Sequence, residues 1–184
     1  MRFQLLLFST ADSSLGRVDY NSLPQQALME MVIDGITNKV KICGDIDEPR
    51  DIEEWKRVEI EDGEVTEIDW YQFDIEGSLH LEWLPSSVRK FEATSNRLTG
   101  TLDLASLPTS MEWLDLAHNA FTGSIGLEAL PERMEYLNVS NNELSPNPTK
   151  GHLSVVGWTS TPVLGEAKNL FKPLFVFLSW RRPY

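Results

Sequence analysis

The sequence predicts an α/β solenoid of about four coils, because two sets of landmarks recur at a spacing of 23 residues. The recurring residues are the leucines of three Leu-Pro pairs, Leu84, Leu107 and Leu130, and the asparagines Asn96, Asn119 and Asn142. A unit of this size cannot bury its own apolar edge, so successive units stack and share one core. The predicted architecture is a short parallel sheet preceded by an N-terminal helical cap.

Each repeat is predicted to contain two short strands separated by a bend. Apolar residues spaced apolar-x-x-apolar-x-apolar place the first strands at Lys90–Glu92, Trp113–Asp115 and Tyr136–Asn138, with alternate side chains pointing into the coil. A Gly flanked by Thr or Ser predicts the second strands within residues 98–102 and 121–125. The side-chain amides of the three asparagines are predicted to bond backbone groups of adjacent coils at the bends.

This repeat resembles the leucine-rich repeat family. The segment Leu98-Thr99-Gly100-Thr101-Leu102 is similar to the second half of the plant-type repeat subclass. More narrowly, the sequence of residues 84–106 resembles that of leucine-rich repeat proteins of trypanosomatid protozoa, which are relatives of their surface antigens. The resemblance implies a solenoid whose strands line a concave face.

Residues 1–60 are predicted to form an N-terminal region with a helical cap. Ser22 and Gln25 are spaced as in a capping box, Pro24 suits a first helical turn, and Gly35 is expected to end the helix. A brief strand is predicted at residues 39–42.

The sequence around Trp55 resembles the N-terminal cap of plant-type leucine-rich repeats. Glu53 and Ile60 stand where that cap has two cysteines, and Arg57 replaces a glycine. The resemblance therefore implies a cap that is held by the packing of Trp55 and the helix instead of by a disulfide.

Residues 61–145 are assigned to the repeats and residues 146–184 to a divergent C-terminal tail. The first repeat is degenerate, because Phe73 occupies its asparagine position. The repeat pattern fails after Leu144, where a brief strand at residues 153–156 is expected instead. The apolar stretch at residues 170–180 is too short to span a bilayer. It is predicted either to cover the core of the last coil or to lie at a membrane surface beside basic residues.

The charge of the chain is unevenly distributed. Residues 1–149 hold eleven basic and 27 acidic residues, a net charge of −16, whereas residues 150–184 hold five and one, a net charge of +4. The acidic body argues against a nucleic-acid partner and favours a basic protein or peptide, or simply solubility. Cys43 is the only cysteine, and no clear signal peptide is found at the start, which favours a cytoplasmic location without establishing one.

Candidate binding residues occupy the strand positions that are predicted to face solvent. They are Asp69, Lys90, Glu92, Trp113, Asp115, Tyr136 and Asn138. The aromatic residues are typical interface anchors, and the three acidic residues form a column of like charges, whose repulsion costs stability unless it is offset. A basic ligand, Lys90 or a calcium ion could do so, and a merely solvated acidic face is the alternative. Asn138 also opens an Asn-x-Ser glycosylation sequon.

No catalytic motif, cofactor motif or metal-ligand spacing is present in the sequence, and the three histidines, His80, His118 and His152, stand apart. We therefore predict a non-catalytic module that binds a protein or peptide through its concave face, without cofactor or metal. The alternative is a membrane-peripheral or structural protein that acts through the tail. The partner and the oligomeric state stay open.

Overall fold

The computed structural model describes residues 23–145, 163–164 and 175–177. The helices are α1 (Gln25–Val32) and α2 (Val40–Cys43), and short 3-10 turns lie at Ile52–Glu54, Leu81–Trp83 and Leu104–Ser106. The strands are β1 (Val58–Glu61), β2 (Glu64–Asp69), β3 (Glu76–Ser78), β4 (Lys90–Glu92), β5 (Arg97–Thr101), β6 (Trp113–Asp115), β7 (Ala120–Ser124), β8 (Tyr136–Asn138), β9 (Glu143–Ser145), β10 (Val163–Leu164) and β11 (Phe175–Phe177).

These strands form two sheets, one on each side of the coils. Strands β2, β4, β6 and β8 are parallel and lie in register, and they form the centre of a seven-stranded sheet in the order β1-β2-β4-β6-β8-β11-β10. The second sheet has the order β3-β5-β7-β9 and is also parallel. The predicted solenoid and its three first strands are confirmed, and the two predicted second strands are present as β5 and β7.

The space between the sheets is one continuous apolar core, from Met29 in α1 to Val176 in β11. The central residue of each first strand points into it, so that Phe91 of β4 is fully buried and packs edge-on against Trp70, with ring centroids 5.5 Å apart. Burying an aromatic or branched side chain of this kind contributes roughly 1.5–3 kcal/mol. The stacked coils are therefore held together mainly by this shared core.

The start of α1 differs from the capping-box prediction. Pro24 occupies the N-cap position without a side-chain cap bond, and Ser22 lies outside the described residues. The side chain of Gln25 turns to strand β2 instead, where its Oε1 accepts from the backbone N–H of Val65 at 2.7 Å and its amide donates to the carbonyl of Gly63 at 3.0 Å. The capping-box prediction is wrong because Gln25 ties the helix to the sheet.

The predicted end of α1 at Gly35 is also wrong, since the helix ends at Val32. Gly35 has a packing role, because a Cβ at this position would collide with the backbone and side chain of Ser78 in β3. The close approach of the cap to the first coil therefore requires a glycine there.

The strand predicted at residues 39–42 is a helical turn, α2. A strand would turn Val40 and Ile42 to the same side, whereas the helix buries Ile42 and Cys43 together and leaves Val40 43% exposed. Burial of this adjacent pair in the core outweighs the short alternating pattern.

The cap is held by packing and backbone bonds around Trp55. This indole is buried, and its Nε1–H donates to the carbonyl of Arg50 at 2.8 Å. Arg57, which stands where the caps that the sequence resembles have a glycine, adopts a left-handed conformation with φ of 59°. Its guanidinium donates to the carbonyl of Tyr71 at 2.9 Å and lies 5.4 Å from the ring centre of Phe73. These contacts connect the cap to the entry coil and compensate for the left-handed backbone.

The asparagines at the bends form a ladder of repeated contacts, which we call the asparagine ladder: Asn96, Asn119 and Asn142. In each, Oδ1 accepts from a backbone N–H of the preceding coil, and Nδ2 donates to one carbonyl of that coil and two of its own. Each bend also contains a left-handed residue, and these are Gln72, Ser95, His118 and Asn141. The ladder thus satisfies backbone groups that the bends leave without a strand partner.

The described part of the tail continues the main sheet. Strand β11 pairs in parallel with β8, and the register aligns Phe175 with Tyr136. The side chain of Val176 is buried in the core. For these residues the structure agrees with the prediction that the tail covers the last coil. The strand expected at residues 153–156 and the basic residues of the tail lie outside the described residues. Within the described residues, no helix is long and apolar enough to cross a membrane.

Candidate functional site

The outward side chains of β2, β4, β6 and β8 form one surface, which we call the strand face; it corresponds to the predicted concave face. The register of the sheet aligns them in two columns. The first column contains Glu67, Lys90, Trp113 and Tyr136, and the second, the acidic column, contains Asp69, Glu92, Asp115 and Asn138. All seven sequence-predicted binding residues therefore lie on this one surface. Their role in binding stays a prediction.

Trp113 and Tyr136 form a stacked aromatic pair. Their ring centroids are 3.7 Å apart and their planes differ by 7°. Trp113 is 38% exposed, although it is a large hydrophobic residue. A flat, exposed aromatic surface of this kind offers contact area without the loss of side-chain freedom that a flexible residue would suffer on binding.

Asp115 is buried, and the expectation that it faces solvent is wrong. Its Oδ1 accepts from the Thr94 hydroxyl and from the backbone N–H of Ala117, the latter at 3.1 Å. Its Oδ2 accepts from the Tyr136 hydroxyl at 3.2 Å and from the Asn138 amide at 3.1 Å. The carboxylate thus holds parts of three coils together and positions Tyr136 for the stack on Trp113.

The network around Asp115 changes the properties of Tyr136 and Asn138. Burial, followed by the negative charge of Asp115, raises the pKa of the Tyr136 phenol above its usual value. The Oδ1 of Asn138 accepts from the hydroxyl of Ser140 at 2.8 Å and from its backbone N–H at 3.1 Å. Both residues needed for a glycosylation sequon are engaged in this network, so a glycan on Asn138 would disrupt it.

The N-terminal end of the acidic column is more open. Asp69 accepts from the backbone N–H of Tyr71 at 3.0 Å and lies 3.7 Å from the guanidinium of Arg57. Lys90 pairs with Glu67 of its own column at 3.8 Å. Like charges in the column are therefore offset in different ways, by a guanidinium for Asp69 and by hydrogen-bond donors for Asp115.

Glu92 lies between these two carboxylates and is the least compensated member of the column. No hydrogen bond or ion pair joins its carboxylate to a described residue. Burial is the first cause that raises the pKa of this carboxyl, and the negative charges of Asp69 and Asp115 raise it further, while Lys90 acts in the opposite direction. A cationic group placed here would relieve this repulsion.

A shallow groove of about 440 Å³ lies beside the aromatic pair. Its walls are formed by Trp113, by the basic residues Arg89 and Lys90, and by four glutamates, Glu67, Glu92, Glu112 and Glu135. Arg89, Glu112 and Glu135 lie just before the strands and were not among the sequence-predicted site residues. The signal that could have found them is their position directly before each first strand, at 23-residue spacing.

Among residues 23–145, 163–164 and 175–177, no group of three His, Cys, Asp or Glu side chains has the arrangement of a metal site. The acidic column does not converge on one point there, because Asp115 turns to its hydrogen-bond donors and Asp69 to Arg57. The arrangement suits recognition of an extended, charged ligand along the strand face.

Solved structures of Arabidopsis thaliana proteins have a similar fold. The BIR2 ectodomain of Arabidopsis thaliana aligns with a TM-score of 0.55 and 19% identity, over 66% of this chain and 69% of that one. The BIR3–SERK2 complex of the same plant aligns with 0.51 and 17%, over 64% and 68%. The leucine-rich repeat ectodomain of Arabidopsis GASSHO1/SCHENGEN3, in complex with CASPARIAN STRIP INTEGRITY FACTOR 2, aligns with 0.50 and 23%, over 66% of this chain and 16% of that one.

No protein-family model and no curated protein matches the chain. The structural likeness, with the 23-residue repeat and the parallel sheet, shows that the chain has the leucine-rich repeat fold.

Proposed function

We propose that this chain is a non-catalytic leucine-rich repeat module that binds a protein or peptide through its strand face. The observation that carries the proposal is the exposed stack of Trp113 on Tyr136, whose orientation is fixed by Asp115. Aromatic residues held rigidly at the centre of a surface are typical energetic anchors of protein interfaces. The remaining positions of the face are polar or charged, as at an interface rim.

The structural neighbours support a binding role for this fold. Two of the similar structures are complexes, BIR3 with SERK2 and GASSHO1/SCHENGEN3 with CASPARIAN STRIP INTEGRITY FACTOR 2. The acidic column favours a basic partner, since complementary charges accelerate association and exclude other partners. The resemblance to trypanosomatid proteins stays a prediction from the amino-acid sequence of residues 84–106.

The size of the face limits the affinity. Four parallel strands about 4.8 Å apart give a surface about 20 Å wide, which supplies roughly half of the 800 Å² that each partner contributes to a standard interface. We therefore expect either weak binding or additional contacts from the loops that flank the strands.

A capture experiment with the full chain as bait tests this proposal. Wild type is compared with Trp113→Ala and with Ile46→Ala, a matched control that removes a 55% exposed apolar side chain from the cap. We expect at least one protein to be captured by wild type and by Ile46→Ala but not by Trp113→Ala. The amount of each captured protein is quantified by mass spectrometry. Equal capture by the three baits, all shown to be folded by circular dichroism, would contradict binding through the strand face.

A further inference from the structure

The groove beside the aromatic pair has more carboxylates than cations available to a ligand. Arg89 lines the groove, but its guanidinium is already paired with Glu61 of β1, which is not part of the groove lining. Lys90 pairs with Glu67 inside it. Within the described residues, Glu92 and Glu112 form no such pair, so the groove keeps an excess of negative charge next to Trp113.

The indole of Trp113 gives this groove a flat aromatic wall. Tyr136 covers one face of the indole at 3.7 Å and is not part of the groove lining. The register places Lys90 on the other side of Trp113, so the uncovered side of the indole borders the groove. Two of the carboxylates that line the groove belong to Glu112, which directly precedes Trp113, and to Glu92, which lies on the adjacent strand opposite Asp115 and so diagonally from Trp113.

We propose that this groove binds an arginine side chain of the protein partner, an inference that rests on the strand face being the binding surface. A guanidinium is planar, so it stacks on an indole while its N–H groups donate to carboxylates at its edge. Glu92 and Glu112 supply the acceptors and Trp113 supplies the plane. A lysine ammonium would satisfy the charge but not the stacking, so arginine is the better match.

The proposal is tested on the full chain with a small probe. N-acetyl-arginine methylamide is titrated while the indole N–H signal of Trp113, assigned by its loss in Trp113→Phe, is followed by NMR. We expect a saturable shift that weakens with added salt, and no saturable shift with the citrulline analogue, which has nearly the same shape but no charge. The lysine analogue is expected to bind more weakly than the arginine probe.

Charge-neutral variants separate the groove from general attraction to an acidic protein. Glu92→Gln and Glu112→Gln should each weaken binding of the arginine probe by about three- to tenfold, as expected for a charge-assisted contact that is partly exposed. Glu143→Gln is the matched control, because it removes the same charge from an exposed position on β9 of the second sheet. Equal binding by the Glu92 and Glu143 variants, or equal binding of arginine and citrulline probes, overturns the proposal.

The same variants distinguish this inference from the proposed function. A partner that Trp113→Ala loses but Glu92→Gln and Glu112→Gln retain at full strength would leave the strand face as the binding surface and rule out the arginine pocket. Equal capture by Trp113→Ala and wild type would show that the strand face is not the binding surface. Selective loss in all three groove variants supports both.

Discussion

The asparagine ladder and the acidic column recur at the same 23-residue spacing, but only the ladder is uniform. Each ladder asparagine accepts from a backbone N–H of the preceding coil and donates to three carbonyls. In the acidic column, by contrast, Asp69 pairs with Arg57, Glu92 has no such partner among the residues that the structure describes, and Asp115 accepts four hydrogen bonds. Asp69, Asp115 and Asn138 do share one contact, since each accepts from the backbone N–H two residues later, but their remaining contacts differ. The same repeat therefore produces one column with identical contacts and one in which most contacts differ from coil to coil.

This difference distinguishes side chains that the fold requires from side chains that can vary on the surface. The ladder satisfies backbone groups inside the bends, and every bend presents the same groups, so one residue type is required each time. On the strand face the backbone makes a weaker demand, a bond from one N–H to Asp69, Asp115 and Asn138, and position 92 carries a glutamate without that bond. Variation there is compatible with recognition of a particular ligand, and the predictions below test whether the two columns differ in this way.

The largest effect is expected from Asn142→Ala in the ladder. The side chain of Asn142 is 1% exposed, and its loss removes the partner of the buried N–H of Phe121 and the donor to the buried carbonyl of Val139. The carbonyl of Leu116 keeps a bond from Asn119. We expect the free energy of unfolding to fall by about 3 kcal/mol, since each buried polar group left unsatisfied costs about 1–3 kcal/mol. Urea denaturation measures this change.

Asn142→Asp tests which half of the amide matters. The variant keeps an acceptor for Phe121 but places a carboxylate oxygen against three carbonyls, so it should be at least as unstable as Asn142→Ala. Ser124→Ala, at an exposed position of β7, is the control and should change stability by less than about 0.5 kcal/mol. Wild-type stability in Asn142→Asp would show that the donated bonds contribute nothing.

The next effect compares the buried and the exposed aspartate of the acidic column. Asp115→Ala removes the acceptor for Thr94, Tyr136 and Asn138 and should lower the free energy of unfolding by about 1–3 kcal/mol. Asp69→Ala at the equivalent position removes an exposed pair with Arg57 and should lower it by less than about 1 kcal/mol. Thermal and urea unfolding measure both, and equal losses would contradict the contrast between a structural and an open position.

Sequence alone was sufficient for the repeated part of the fold. Strands β4, β6 and β8 have the predicted bounds because a period of 23 residues fixes both register and inward positions. The cap was predicted less well, since it has no period. Its first helix has Pro24 instead of Ser22 at the N-cap, and the predicted strand at residues 39–42 is the helix α2. The hairpin of β1 and β2 around Asp62-Gly63 was missed, although Asp-Gly is a common hairpin turn.

The candidate site was predicted as a set of positions but not as a set of environments. Periodicity places Asp115 and Glu92 in one column, yet it cannot show that one accepts four hydrogen bonds while the other lies beside a groove. These differences depend on side chains from neighbouring coils, such as Thr94, whose conformation no linear pattern encodes. The stack of Trp113 on Tyr136 was likewise predicted only as two exposed aromatic residues.

A smaller effect is expected where the cap imitates the ladder. The amide of Asn38 accepts from the N–H of Glu76 at 3.1 Å and donates to the carbonyl of Asp74 at 2.9 Å, so it binds the entry coil from the side opposite to Asn96. Because Asn38 is only half-buried, water can replace part of these bonds. We expect Asn38→Ala to lower the free energy of unfolding by about 1 kcal/mol in urea denaturation. A loss equal to that of Asn142→Ala would mean that the cap and the ladder contribute alike.

The smallest effect, and the only stabilising one, is expected from Glu92→Gln. Burial and the neighbouring charges of Asp69 and Asp115 raise the pKa of Glu92 in the folded state above its ordinary value of 4.5. The folded protein therefore binds this proton more tightly than the unfolded chain, so the stability associated with Glu92 is present below pH 4.5 and is lost as the pH rises through the folded pKa. At neutral pH the charged carboxylate opposes folding.

Removing that charge should raise the free energy of unfolding at pH 7 by about 0.2–1 kcal/mol, the size of side-chain pair interactions between adjacent strands. The gain should disappear at pH 3, well below the ordinary value of 4.5, where Glu92 is neutral in both states. Urea denaturation of wild type, Glu92→Gln and Glu143→Gln at both pH values measures it, with the exposed Glu143 as the control for net charge. A gain that is equal in the two variants, or equal at both pH values, would show that the strand face does not concentrate charge at Glu92. A gain confined to Glu92→Gln at pH 7 would show that folding tolerates an unfavourable charge at this position, as expected if a cationic ligand compensates it.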